Sequence, residues 1–248
     1  MPAAVQAQAS CSSVEEVGST GVGALTIDFI ILAAASFIFV YKLSEAANKK
    51  VAYLCIYICG ISAIAYYAML AGQGWSAGTT CRQFFYARYI DWILTWPLIT
   101  ILLALIAGCE WTPVLGAIGG QVVQVFAQYM ASVSVLDTVK WFWFLIEICG
   151  LMFLVFHVTR IFKATAENKG GEAAVLYNKV AWTTVIVWIC YPILWLFADG
   201  FSSFTVSFEV TMYAILDLIN KVLLCFMVVS AQDSIGNDDN TAGTREYV

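Results

Sequence analysis

The chain has 248 residues, of which 61% are hydrophobic and only 12% charged, and its mean hydropathy is +0.82. Soluble domains carry about 25% charged residues, so this composition excludes a soluble enzyme or a nucleic-acid-binding protein and predicts an all-α membrane protein in contact with lipid. The net charge of −5 says little about partners, because much of it lies in the tails at Glu15, Glu16, Asp233, Asp238, Asp239 and Glu246.

Residues 1–20 are small and polar and lack the basic and apolar regions of a secretory signal. They read as an N-terminal segment outside the membrane. Apolar runs follow at 25–41, 51–72, 86–107, 113–133, 138–160, 177–198 and 205–230. Each is near the ~20 residues that cross a hydrocarbon core, which predicts a seven-transmembrane-helix bundle over 21–231 with a polar tail at 232–248. Lys42, Lys49 and Lys50 follow the first run, and Arg160, Lys163, Lys169 and Lys179 lie between or at the ends of the fifth and sixth. The positive-inside rule then puts the N-terminus outside and the C-terminus in the cytoplasm.

The third run holds Arg88, Tyr89, Asp91, Trp92, Thr95 and Pro97. Arg88, Asp91 and Thr95 are spaced three and four apart and share a helix face. Charged groups inside a span should face the bundle interior near another charge. The fifth run carries an acid, Glu147, which reads either as a proton-path group or as a neutral hydrogen-bonded one. Its end carries His157, the one histidine, which reads as a surface or interface residue.

In the sixth run Trp188, Tyr191 and Trp195 recur at helical spacing around Pro192. Such a stripe is either bundle core or, with Trp92, the wall of a flat apolar ligand, and the proline predicts a kink. The seventh run places Lys221 four residues after Asp217. A mid-span lysine costs at least ~2.5–3.5 kcal/mol to insert, so it must be paired or covalently used. Asp217 stacks on it at i, i+4, and a desolvated amine is also the group that condenses with a carbonyl. A buried structural salt bridge is the simpler alternative. Cys55, Cys59, Cys149, Cys190 and Cys225 read as small apolar core residues. Cys11 and Cys81 are both expected outside, where they can pair within or between chains. No metal-ligand set is visible.

The motifs Arg88-Tyr89-x-Asp91-Trp92-x-x-Thr95-x-Pro97-Leu98, Trp188-x-x-Tyr191-Pro192-x-x-Trp195 and Asp217-x-x-x-Lys221 together resemble the microbial (type 1) rhodopsins over all seven spans. The Asn220-Lys221 pair resembles the proteorhodopsin branch, and the Arg-Tyr-Ile-Asp-Trp run occurs widely in bacterial and eukaryotic members. The resemblance implies all-trans retinal bound as a protonated Schiff base on Lys221. Asp91 matches the primary counterion and proton acceptor, Asp217 the second counterion, and Arg88 the arginine below them. Trp92, Trp188, Tyr191 and Trp195 match the aromatic sandwich around the polyene, with Tyr89, Thr95, Pro97, Leu98, Ile99, Pro192 and Asn220 near the chromophore. Asp199 and Glu209 match the family's proton-releasing pair of carboxylates, against the plainer reading of two solvated loop acids.

The chain also departs from the family's pumps. Leu102 stands where efficient pumps carry an acidic proton donor, eleven residues or about 16 Å beyond Asp91. Trp96 replaces a usually small residue, which either crowds the pocket or remodels the contact between the third and fourth spans. The expected function is an outward light-driven proton pump of the cell membrane with a slow photocycle. A sensory photoreceptor acting through a separate transducer protein is the alternative, and a light-gated channel the less favoured third. A homo-oligomer is expected, and no enzymatic activity.

Overall fold

The computed structural model describes residues 11–231. Among them, seven helices are long and apolar enough to cross a membrane: α1 (Ser19–Glu45), α2 (Lys49–Leu70), α3 (Tyr86–Ala107), α4 (Trp111–Ser132), α5 (Asp137–Lys169), α6 (Gly171–Gly200) and α7 (Val206–Ser230). At 1.5 Å per residue the 22-residue helices reach about 33 Å, the thickness of a hydrocarbon core. A helix satisfies every backbone group within its own segment, which lipid requires. The tail at 232–248 and the tail acids from Asp233 onward lie outside the described residues.

The helix ends follow local chemistry. Asn48 caps α2 by accepting from the backbone N–H of Lys50 and Val51 at 3.1 and 3.3 Å, and Thr205 caps α7 by accepting from Phe208. Gly108 ends α3 at φ +74° and Gly170 separates α5 from α6 at φ +69°, in the left-handed region that glycine enters without strain. Here the structure corrects the expected spans. Residues 161–176 are almost wholly helical, so α5 and α6 project as long helices joined by a single residue, instead of ending near 160 and 177. The helix runs unbroken through Pro192.

On the side of the bundle where α1 begins, β1 (Ser76–Ala77) and β2 (Gln83–Phe84) form a short antiparallel hairpin between α2 and α3. Glu15 bridges to Arg82 beside it, Gln83 Oε1 accepts from the Val17 N–H at 2.8 Å, and a disulfide joins Cys11 to Cys81. The pairing left open in the sequence is therefore within the chain. Large apolar side chains such as Ile27, Phe37 and Ile64 face outward, and Trp92, Trp96, Trp188 and Trp195 fill the centre. Of the cysteines expected in the core, Cys55, Cys59 and Cys225 are buried, whereas Cys190 is half-buried and Cys149 is exposed on the outer surface of α5. His157 is buried, not at the surface. Its Nδ1 meets the Phe153 carbonyl oxygen at 2.8 Å and its ring packs on Gly116 of α4.

Candidate functional site

Lys221 lies in the one turn of α7 that widens to π geometry, Leu218–Leu223. Such turns recur at functional positions because they re-aim a side chain without breaking the helix. The Lys221 side chain is wholly buried. Its Nζ forms an ion pair and hydrogen bond with Asp91 of α3 and lies 3.3 Å from Asp217 Oδ1. The i, i+4 stacking expected from the sequence thus exists, with Asp91 added from across the bundle.

One ammonium between two carboxylates leaves one excess negative charge, and neutral donors disperse it. Ser62 Oγ donates to Asp91 Oδ1 at 2.7 Å. Tyr66 OH at 2.8 Å, Tyr191 OH at 2.6 Å and Trp92 Nε1 at 3.2 Å all donate to Asp217. Asp217 therefore has its oxygens engaged by three side chains, whereas Asp91 accepts from Ser62 alone besides Lys221. Thr95 shares this face, but its hydroxyl donates to the Asp91 backbone carbonyl at 2.8 Å and not to the carboxylate.

Arg88 makes no ion pair with Asp91 or Asp217 among the described contacts. It lies one layer nearer the hairpin, where its Nη1 is 2.8 Å from Glu209 Oε1 and its guanidinium sits 4.2 Å above the Tyr213 ring. Arg82 holds the other Glu209 oxygen at 3.2 Å. Glu209 is thus a buried acid between two arginines, which rules out a solvated loop acid. Asp199 is half-buried, accepts from Ser132 Oγ at 2.9 Å and lies within electrostatic reach of Glu209, Arg88 and Arg82. Ser132 Oγ also meets Tyr89 OH at 2.9 Å and accepts from Trp195 Nε1 at 2.6 Å. The two acids expected to share a proton make no hydrogen bond to each other among the described contacts, and each has its own partners.

The aromatic residues form two groups, one around Trp92 and one around Trp195, linked through Ser132, whose Oγ meets both Tyr89 OH and Trp195 Nε1. Trp92 touches Tyr191 and Tyr213 at ring separations of 4.9 and 5.2 Å, and Trp195 stacks on Phe144 at 5.0 Å. Trp96 stacks on Trp92 at 5.1 Å and meets Tyr191 at 4.7 Å and Trp188 at 6.3 Å. It therefore crowds the aromatic slot. Contact between α3 and α4 includes Thr100, whose hydroxyl donates to Gln121, and Tyr89, which meets Tyr129 and Ser132. Ile99 and Pro192 are buried in this region, and Asn220 is buried with both polar side-chain atoms unpartnered. Leu98 is only half-buried and packs on the flank of the core. Leu102 is fully buried among apolar neighbours.

Several groups here carry no motif in the sequence. Ser62 and Tyr66 of α2 hold the two carboxylates, Arg82 lies in the hairpin, and Tyr213 lies under Arg88. Asp28 of α1 is buried within electrostatic reach of Asp217 and Lys221. A lone acid within the apolar run of α1 was the one signal that marked it. The donor set suits an imine at Lys221: a buried amine, two carboxylates to keep a positive nitrogen, and an aromatic wall leading away from it.

Comparison with known proteins agrees with this geometry. The profile of the family described as bacteriorhodopsin-like protein matches residues 19–235. Opsin-1 of Neurospora crassa is 28% identical over 235 residues, covering 87% of this chain and 77% of its own. The light-driven proton pump rhodopsin of Coccomyxa subellipsoidea superposes with a TM-score of 0.85 at 25% identity, covering 88% of this chain and all of its own. The light-driven proton pump of Leptosphaeria maculans gives 0.85 at 26% identity, covering 90% and 98%.

Proposed function

The chain belongs to the bacteriorhodopsin-like protein family, and from that premise we propose that it is a retinal-binding, outward light-driven proton pump with slow proton return. The observation that carries this reading is the buried Lys221 amine held against Asp91 and Asp217. Lys221 would hold retinal as an imine, with water released in the condensation. Retinal so bound supplies a light-driven isomerisation that moves the nitrogen relative to its carboxylates.

The chain's own residues do the rest. Asp91 accepts the proton from the Lys221 nitrogen, because it is the carboxylate with fewer competing donors. Asp217 stays in place, fixed by Tyr66, Tyr191 and Trp92, and keeps an anion beside the nitrogen. Glu209 between Arg88 and Arg82 forms the next polar layer toward the hairpin. With the N-terminus outside and the C-terminus cytoplasmic, that layer lies on the exit side of the cell membrane. On the other side Leu102 offers no acid to return the proton, so it must come from bulk water. The structures of the Coccomyxa and Leptosphaeria pumps support transport, while Leu102 favours a sensory role as the second reading.

Illumination of unbuffered cell suspensions separates the two. A pump acidifies the medium, and a protonophore abolishes the change. Absence of any light-dependent pH change in cells that contain the pigment overturns the pump reading in favour of the sensor.

A further inference from the structure

Away from Lys221, the bundle interior between α3, α4 and α5 holds a group of polar atoms without protein partners. Gln124 and Gln128 are wholly buried, and neither end of either amide is hydrogen-bonded. Both oxygens of the wholly buried Glu147 are likewise unpartnered, as are Trp96 Nε1 and Gln121 Nε2. Buried polar groups without partners are costly and uncommon in folded proteins, so a cluster of them points to something that binds there.

Packing brings these groups together. A Cβ on Gly150 would lie 2.9 Å from the Gln124 backbone N and from the Gly120 carbonyl oxygen, so α4 and α5 touch backbone to backbone at that level. The two helices are antiparallel neighbours, which puts Glu147, one turn before Gly150, level with Gln128, one turn after Gln124. From α3, Thr100 bonds Gln121, and Trp96 lies one turn away on the same face, level with Gln124. Trp195 closes the end. Its Nε1 donates to Ser132, one turn beyond Gln128, and its ring stacks on Phe144, one turn before Glu147. Trp96 stacks on Trp92, which donates to Asp217 beside Lys221, so the aromatic group at the lysine reaches this cluster through Trp96.

We propose that Gln124, Gln128 and Glu147 bind a hydroxyl group on the ring of the lysine-tethered polyene, so that the preferred chromophore is a ring-hydroxylated retinal and not plain all-trans retinal. This rests on the retinal reading above. A hydrocarbon ring supplies no donor or acceptor to the cluster. A keto oxygen supplies only an acceptor, which can take the proton donor of a neutral Glu147 or a glutamine N–H but leaves the buried acceptors Gln124 Oε1 and Gln128 Oε1 unmatched. A hydroxyl donates one hydrogen bond and accepts two, so it serves the Glu147 carboxyl and a glutamine N–H at once.

The test is competition on the full-length protein. Protein made without retinoid is given an equimolar excess of all-trans retinal and all-trans 3-hydroxyretinal, and the bound aldehydes are released as oximes and separated by chromatography. The hydroxylated form is expected to dominate about tenfold, the worth of one to two buried hydrogen bonds. The ratio should fall to parity in the double variant Gln128→Leu, Glu147→Leu, with both proteins still forming a visible band. Equal uptake by the wild type overturns the inference and assigns the cluster to bound water. A preference undiminished in the double variant, or in Gln124→Met should the double variant not fold, overturns it as well. Failure of both aldehydes to give a band with Lys221 intact sinks the retinal reading itself.

Discussion

Replacing Glu209 by glutamine should destabilise the protein more than any other acid-to-amide change on the hairpin side of the bundle. Glu209 is 5% exposed, and its partners Arg88 and Arg82 are 3% and 6% exposed. The separations of 2.8 and 3.2 Å correspond to about 6 and 5 kcal/mol of attraction at an effective dielectric constant near 20. Desolvation offsets much of that, but removing one member of a buried pair leaves an uncompensated charge and costs about 3–5 kcal/mol. Glutamine preserves the shape and keeps one acceptor, so the loss isolates the charge. For a chain of this length each kcal/mol moves the melting temperature by about 2–4 °C, which gives a fall of roughly 10 °C. Asp199→Asn is the control. Its carboxylate accepts one bond from a neutral serine, worth about 1 kcal/mol. Thermal unfolding in detergent, followed by circular dichroism, measures both. If Glu209→Gln melts within a few degrees of Asp199→Asn, the two-arginine layer does not carry the stability assigned to it.

Lys221→Ala should give no visible band with any retinal, and a band that survives removes Lys221 as the attachment point. Asp91→Asn should shift the band to the red, because the nitrogen loses its nearest anion, and acidification of the wild type should produce the same shift. A spectrum indifferent to both changes excludes Asp91 as the counterion. Return of the proton to the Lys221 nitrogen should be slow in the wild type and slower as pH rises, since bulk water supplies it. Flash photolysis of Leu102→Asp should show faster and less pH-dependent recovery, whereas fast, pH-independent recovery in the wild type points to a donor such as Glu147. Trp96→Thr should speed pigment formation several-fold by clearing the ring stacked on Trp92, and an unchanged rate means that Trp96 does not narrow the slot.

The helices and the buried Lys221–Asp217 pair were legible in the sequence because both are local patterns. Twenty apolar residues define a span wherever they occur, and Asp217 with Lys221, or Arg88 with Asp91, share a face by spacing alone. Even the crowding residue, Trp96, stood out as a large side chain in a motif. The long projections of α5 and α6 were missed because residues 161–176 are polar, and hydropathy marks where a helix meets lipid and not where it ends. Cys149 was misplaced for a related reason, since a cysteine suits the core and the lipid face equally.

By itself the sequence determined the seven spans, the buried lysine and the acids near it, because inserting a charge into lipid is costly enough to demand an explanation at that residue. The tertiary structure decided which charges meet. It joined Asp91 to Lys221, set Glu209 between Arg88 and Arg82 with Asp199 in electrostatic reach, brought Ser62 and Tyr66 from α2, and left Gln124, Gln128 and Glu147 buried without partners. A soluble helix announces its inner face by amphipathic periodicity. A helix in lipid is apolar nearly all round, so its rotation and register are set by side-chain packing against its neighbours, and no single span contains that information.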